Sequence, residues 1–290
     1  MTAQATCDGS VQSVWRYPVK SMQGEQIPGA PVTERGVLGD RVYAILDRAT
    51  GHVASAKHPR KWNNLFRCHA AFVESPQLGA PLPPVVITLP DDATVSSAQP
   101  DVDLILSRVF GRDVALIASA PNAPTREADR SPLDDVGAGT IREEPMALAA
   151  PAGTFFDYAP IHVLTTATLA ALKELYGQGD FDVRRFRPNI VVAPLDDKPG
   201  FVENDWLGHT MQIGSNVLLQ LIDPCPRCVV TTLAHGDLAR DHDILRTITQ
   251  HNAVASVTLA PGVVFPAVAG VYANALQSGT ISRGDTVWLR

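Results

Sequence analysis

From Thr247 to Ser282 the chain runs without a single Asp, Glu, Lys or Arg. A stretch this free of charge is expected to be buried, either in a membrane or in a protein core. Pro261, Gly262, Pro266, Gly270, Asn252, Asn274 and Gln277 interrupt it every few residues, so no clean apolar run of roughly twenty residues remains for a spanning helix. It reads as core strands and loops. Other runs are β-branched or alternating and bounded by Gly, Pro or Asp: residues 11–17, 41–46, 52–55, 85–89, 190–193, 217–222, 228–232, 270–275 and 286–289. Two helices are expected. One covers residues 165–176, with Leu169, Leu172, Leu175 and Tyr176 on one face, Thr165 or Thr166 as cap and Gly177 as stop; the other lies near residues 243–250. The expected class is mainly β with short helices (α+β).

A chain of 290 residues has room for two cores. The strand-rich part, residues 1–119, is the expected first domain, and residues 161–290 are the second. Between them, residues 120–160 turn to Pro, Gly, Asp and Glu with little periodicity, as a connector does. Apolar content of 45% with 19% charged residues is that of a packed globular protein. The net charge of -6 gives no general pull toward nucleic acid or anionic membrane, so an anion site must be local. Four cysteines, Cys7, Cys68, Cys225 and Cys228, are too few and too scattered for a disulfide scaffold, and residues 1–13 lack the basic and apolar regions of a signal peptide. A cytoplasmic protein is expected.

The chemistry concentrates in Asp223-Pro-Cys225-Pro-Arg227-Cys228, where two cysteines flank an arginine. One CxxC is half of a tetrahedral zinc site, and neither a second CxxC nor a zinc-finger histidine pair follows; His235 alone does not complete it. A thioredoxin-like pair would open a helix, whereas Cys228 is expected to lead into a strand. Two small buried residues would explain the pair equally well. A thiolate here would nonetheless suit a soft metal. Three cations sit in marked contexts: Lys20 in Tyr17-Pro-Val-Lys-Ser21, Arg41 in Gly39-Asp-Arg41, and Arg187 in Phe186-Arg-Pro-Asn189, close to Asp182, Arg184 and Arg185. Singly Lys20 and Arg41 read as solvated charges, while Arg187, among other arginines, is better suited to phosphate oxygens; together, with a helix starting at Thr165, they suggest an anion pocket.

Several chemistries have no support. GxSxG, HExxH and GxxxxGK[ST] are missing, and Gly137-Ala138-Gly139 lacks the third glycine and preceding strand of a dinucleotide fold. Asp134, Asp135, Glu143 and Glu144 fall in the connector with no mate identifiable from sequence. His235 and His251 are the candidate proton carriers, although a lone histidine is more often structural.

Taken in order, these segments resemble the MOSC family in its two-part form, which includes the mitochondrial amidoxime-reducing component and bacterial relatives. Tyr17–Ser21 and Gly39–Arg41 look like its N-terminal β-barrel domain; Phe186–Asn189, Arg227-Cys228 with Thr231-Thr232, Gly279-Thr280 and Gly284-Asp285 look like the MOSC β-barrel. The resemblance implies a molybdenum cofactor (molybdopterin), with Cys228 as metal ligand and catalytic centre. It implies that Lys20, Ser21, Arg41, Thr165, Arg187 and Asn189 bind the phosphate and pterin; Cys225 receives no ligand role. The implied reaction is reduction of a small N-hydroxylated or N-oxygenated compound, with electrons from a separate protein and no nucleic-acid or membrane partner. Another class also fits: a cofactor or sulfur carrier holding a persulfide on Cys228. A pyridoxal-phosphate binder is a third reading, for which no lysine stands out. Leu233-Ala-His-Gly-Asp237 replaces the acidic turn that often follows the Thr-Thr pair in the family's amidoxime reducers, and no cysteine-rich iron–sulfur extension is seen.

Overall fold

The computed structural model describes residues 7–130, 140–196 and 198–290. Asp134, Asp135 and the Gly137–Gly139 stretch lie outside the described residues.

Seven strands close on themselves. Around the barrel they run Ile190–Pro194, Ile161–Thr165, Val268–Gln277, Val217–Pro226, Thr210–Ile213, Thr286–Leu289 and Gly9–Arg16, and the last pairs back onto the first. Neighbours are antiparallel except Ile161–Thr165 and Ile190–Pro194, which run parallel. A parallel pair cannot be joined by a hairpin and needs a crossover. Of the four helices among the described residues, α1 (Val102–Phe110), α2 (Thr166–Leu175), α3 (Val183–Phe186) and α4 (Asp243–His251), the crossover contains α2 and α3.

Alternation along the strands sends Val14, Ile161, Val163, Ile190, Val192, Ile213, Leu219, Leu221 and Val271 into the barrel, fully removed from water. Val268, Val271 and Ala273 come from the charge-free stretch, as expected of core strands. Val257, Val263 and Val264 of the same stretch are exposed instead. Their loop is anchored by the buried carboxylate of Asp223, which accepts from the Ser256 hydroxyl and from the backbone N–H groups of Val257, Thr258 and Leu259.

Strand pairing joins the two ends of the chain. Gly9–Arg16 completes the barrel, and Gly29–Thr33 pairs with Gly279–Ser282. The remaining N-terminal strands form small antiparallel sheets, His69–Phe72 with Val85–Thr88 and Thr94–Ser96, and Ala44–Asp47 with Val114–Ile117. With α1 they enclose a second core around Val19, Met22, Leu65, Ile87, Leu106 and Val114.

Local structure departs from expectation in several places; residues 52–55, for one, form no strand, only an isolated bridge between Val53 and Leu46. Residues 125–129 and 141–145, inside the stretch read as a connector, form an antiparallel ribbon, with Arg126 and Ala128 turned inward. Residues 228–232 are not a strand: Val217–Pro226 ends at Pro226 and Val229–Thr232 is a 3-10 turn. Thr231 Oγ1 donates to the Cys228 carbonyl at 3.0 Å and Thr232 Oγ1 to the Val229 carbonyl at 2.8 Å, so the hydroxyls fold the backbone away from a ladder.

Candidate functional site

Two cavities flank Cys228. The smaller, about 100 Å³, lies where the N-terminal unit meets the barrel and is lined by Lys20, Ser21, Arg41, Arg187, Asn189 and Cys228, with Ser55, Lys57, Asp157, His162, Cys225, Arg227 and Tyr272 among their neighbours. The larger, about 320 Å³, shares Arg227 and Cys228 with it and is otherwise built from residues 59–60, 129–130, 229–249 and 266–267. Among the described residues, no three His, Cys, Asp or Glu side chains converge as a metal site.

Unusual backbone conformations aim the cationic wall. Ser21, Arg41 and Arg187 have φ of 64°, 48° and 57°, the left-handed region that non-glycine residues rarely occupy. Such strain costs about 1 kcal/mol or more per residue and persists where the surroundings fix it. For Arg41 it delays the expected strand, which begins at Ala44. The Tyr17 ring lies between the two guanidiniums, 5.0 Å from Arg41 and 4.2 Å from Arg187. Arg41 also pairs with Asp40, whose other oxygen accepts the Tyr17 backbone N–H. Arg187 Nη1 donates to the Met22 carbonyl, but its Nη2 is buried with no partner among the described residues. Burial, reinforced by Arg41, pushes the Arg187 guanidinium down to about 10, so it remains a cation at neutral pH.

Lys20 enters on the chain segment leaving the strand Gly9–Arg16 and donates to the Phe155 carbonyl at 2.9 Å and to Asp157 at 2.6 Å. Burial pushes its ammonium down to about 7 despite that carboxylate. Asp157 faces Lys57 at 2.9 Å and Arg126 at 3.3 Å as well. Burial alone would raise its carboxyl, yet Arg126, Lys20 and Lys57 hold it well below the usual carboxylate range. His162 lines the same cavity with Nε2 at 3.1 Å from the Ala269 carbonyl, and burial with Arg227 nearby pushes it down to about 3, leaving it neutral. The Asn189 amide is committed to backbone: Oδ1 accepts from His162 N at 3.1 Å and Nδ2 donates to Trp15 O at 3.4 Å. Ser21 Oγ accepts the Ala56 N–H at 3.2 Å, which leaves its own proton to donate.

The cysteines are all free thiols, and their surroundings differ. Cys225 is 1% exposed and receives Arg227 Nη1 at 2.8 Å. Arg227 also donates to the Phe186 carbonyl at 2.7 Å, while its buried Nε has no partner among the described residues. Cys228 is half-buried at the start of the 3-10 turn and forms part of both cavity walls.

Lys20, Ser21, Arg41, Arg187, Asn189 and Cys228 are thus brought together, and Thr165 is not. Its hydroxyl caps α2, accepting from Thr168 N at 3.0 Å, and donates to the buried carboxyl of Glu203 at 2.7 Å. The helix start faces Glu203, so the expected anion contact is replaced by a capping role. Nor do the neighbouring arginines join Arg187: Arg184 pairs with Asp182 and Asp237, and Arg185 donates to the carbonyls of Asp180, Thr231, Leu233 and Ala239. His235 and His251 line neither cavity. His235 packs edge-on against Phe66 at 4.7 Å, and burial pushes it down to about 4.

The MOSC domain family model matches residues 151–288, and that of the MOSC N-terminal beta barrel domain matches residues 8–78. This chain belongs to the MOSC-domain family. Human mitochondrial amidoxime reducing component 2 is 24% identical over 248 residues, covering 78% of this chain and 67% of that protein. Its rat counterpart is 28% identical over 244 residues with the same coverage, and human mitochondrial amidoxime-reducing component 1 is 24% identical over 299 residues, covering 97% of this chain and 83% of that protein. Among solved structures, the YuaD protein from Bacillus subtilis is 9% identical, with a TM-score of 0.43 over 96% of this chain and 93% of that one. The MOSC domain supplies Arg187, Asn189 and Cys228, while the N-terminal barrel domain supplies Lys20, Ser21 and Arg41.

Proposed function

We propose that this MOSC-family chain holds a molybdenum cofactor and reduces small N-oxygenated compounds, with Cys228 as the protein ligand to the metal. The observation that carries this reading is the position of Cys228, a half-buried thiol in the wall between a small cationic cavity and a larger one. The donor set suits the cofactor. Lys20, Arg41 and Arg187, with the unpartnered Arg187 Nη2 and the Ser21 hydroxyl, match a phosphate dianion and the carbonyl and ring nitrogens of a pterin. A single soft thiolate matches a metal whose remaining sulfur ligands come from a dithiolene.

When bound, the cofactor supplies two-electron oxygen-transfer chemistry. The chain's own residues bind and orient. Strained Ser21, Arg41 and Arg187 fix the anionic end, and Arg227, tied to Cys225 and the Phe186 carbonyl, fixes the approach to Cys228. Water exclusion around Lys20 and His162 strengthens each charge contact made there. Balanced, the net reaction converts an N-hydroxylated amidine, two electrons and two protons into the amidine and water. The electrons come from a separate protein.

Turnover tests this. Protein prepared in a cofactor-competent host is expected to reduce benzamidoxime with an artificial one-electron donor and to be inactive with NADH alone. Turnover with NADH and no added protein would contradict the reading. Sulfane sulfur on Cys228, with no turnover from any donor, would instead identify a carrier.

A further inference from the structure

The larger cavity has a composition that N-oxygenated compounds in general do not require. Its floor is apolar, from Pro59, Val229, Leu245, Pro266 and Ala267. Its remaining wall carries four guanidiniums, those of Arg60, Arg130, Arg227 and Arg240, against the one carboxylate of Asp129, in a chain whose net charge is -6. The arginines are not equivalent. Arg60 pairs with Asp129 at 2.9 Å and Arg130 with Glu144 at 2.5 Å. Arg227 reaches Cys225 and a carbonyl but keeps a buried Nε without a partner. Arg240 is exposed at the rim, beside His242, and has no ion-pair partner among the described residues. A volume of about 320 Å³ suits a small organic molecule.

Building on the proposed function, we infer that the preferred substrates are N-oxygenated organic anions with a flat apolar body: the N-oxygenated end turns to Cys228 and a carboxylate at the far end is recognised by Arg240. An arginine fork without a partner gains a charge-assisted pair when a carboxylate arrives, and the apolar floor gains burial of the ring. A neutral substrate receives only the second contribution. Arg60 and Arg130 stay paired with Asp129 and Glu144 and add little net charge, so the selectivity for an anion rests on Arg240.

A matched pair of probes tests this: benzamidoxime and its 4-carboxy derivative, each reduced with the same artificial donor and compared by the ratio of their kcat/KM values. The wild-type protein is expected to favour the carboxylate by about tenfold, Arg240→Gln to remove about that preference, and Arg240→Glu to reverse it. A wild-type ratio near one, or a preference that Arg240→Glu leaves intact, overturns the inference while benzamidoxime reduction itself leaves the proposed function standing. Calorimetric titration of the 4-carboxy compound supplies a readout independent of turnover. Binding weakened about tenfold by Arg240→Gln supports the inference even if neither probe is reduced. Binding that survives Arg240→Gln but is lost in Lys20→Met would put the carboxylate in the smaller cavity and overturn it.

Discussion

The guanidinium of Arg227 donates to the sulfur of Cys225 at 2.8 Å. That contact separates two cysteines that the sequence presents as a pair: Cys225 is buried and occupied, while Cys228 stands half-buried between two cavities. In a Cys7→Ser background, Cys228 is expected to alkylate first. Cys225 should lag because it is covered, and Cys68 because burial also pushes its thiol up to about 12. Mass spectrometry of partly alkylated protein reads the order, and early labelling of Cys225 would contradict it.

The cationic wall predicts which charges retain an anion. Arg187→Ala and Lys20→Ala should each weaken cofactor retention more than tenfold, since loss of one charge-assisted contact costs about 1.5 to 3 kcal/mol. Lys173→Ala, on the exposed face of α2, should not. Pterin release after gel filtration measures this, and equal retention in all three variants would return Lys20 and Arg187 to ordinary structural charges.

Lys20 also sets a pH dependence. In the free protein its ammonium lies at about 7, and an anion beside it restores the charged form, so binding above that pH takes up a proton. Affinity is therefore fully present below about pH 7 and falls as pH rises through it, approaching about tenfold per pH unit. Sulfate keeps its charge throughout, so calorimetric titration with sulfate isolates the lysine. Lys20→Met should flatten the profile; a flat wild-type profile would contradict the assignment.

Thr165→Ala distinguishes a cap from a ligand. Losing the α2 cap should cost about 1 to 2 kcal/mol of stability and leave sulfate affinity unchanged. Weaker sulfate binding at unchanged stability would restore the anion role that the fold denies it.

Gly262 and Gly270 share a φ of +85° and differ in the space available. A Cβ at Gly270 would sit 2.2 Å from His162 Nε2 and 2.5 Å from the Val163 carbonyl, whereas at Gly262 it would meet nothing within 4 Å. Gly262→Ala should cost about 1 kcal/mol, from backbone strain alone, and Gly270→Ala about 3 kcal/mol or more, with disturbance of His162. Denaturant midpoints read both, and equal losses would contradict the close approach.

The β class and five of the seven barrel strands are legible in the sequence because alternation and the charge-free stretch report burial directly, while Ile161–Thr165 and Thr210–Ile213 are not among the expected strands. The closure of the barrel by Gly9–Arg16 is not, since pairing with Ile190–Pro194 and Thr286–Leu289 is long-range and leaves no local pattern. Lys20, Arg41, Arg187 and Cys228 are reached through family resemblance. Lys57, Asp157, His162 and Tyr272 reach the same cavity from separate segments, and no motif spacing links them, whereas Arg227 stands inside the Cys225–Cys228 motif without a role assigned to it there. Thr165 misleads for a physical reason: a capping threonine and a phosphate-binding threonine share one sequence signature, and only the position of Glu203 tells them apart. Residues 228–232 mislead because β-branched composition favours a strand, while the Thr231 and Thr232 hydroxyls bond back to Cys228 and Val229.

Molybdenum content tests the central claim most directly. Protein from a cofactor-competent host should carry about one molybdenum and one pterin per chain, the stoichiometry of a single thiolate ligand. Cys228→Ala should lose the metal while remaining folded, and Cys225→Ala should keep most of it. Wild-type protein without molybdenum, or a Cys228→Ala variant that retains it in full, would contradict the account.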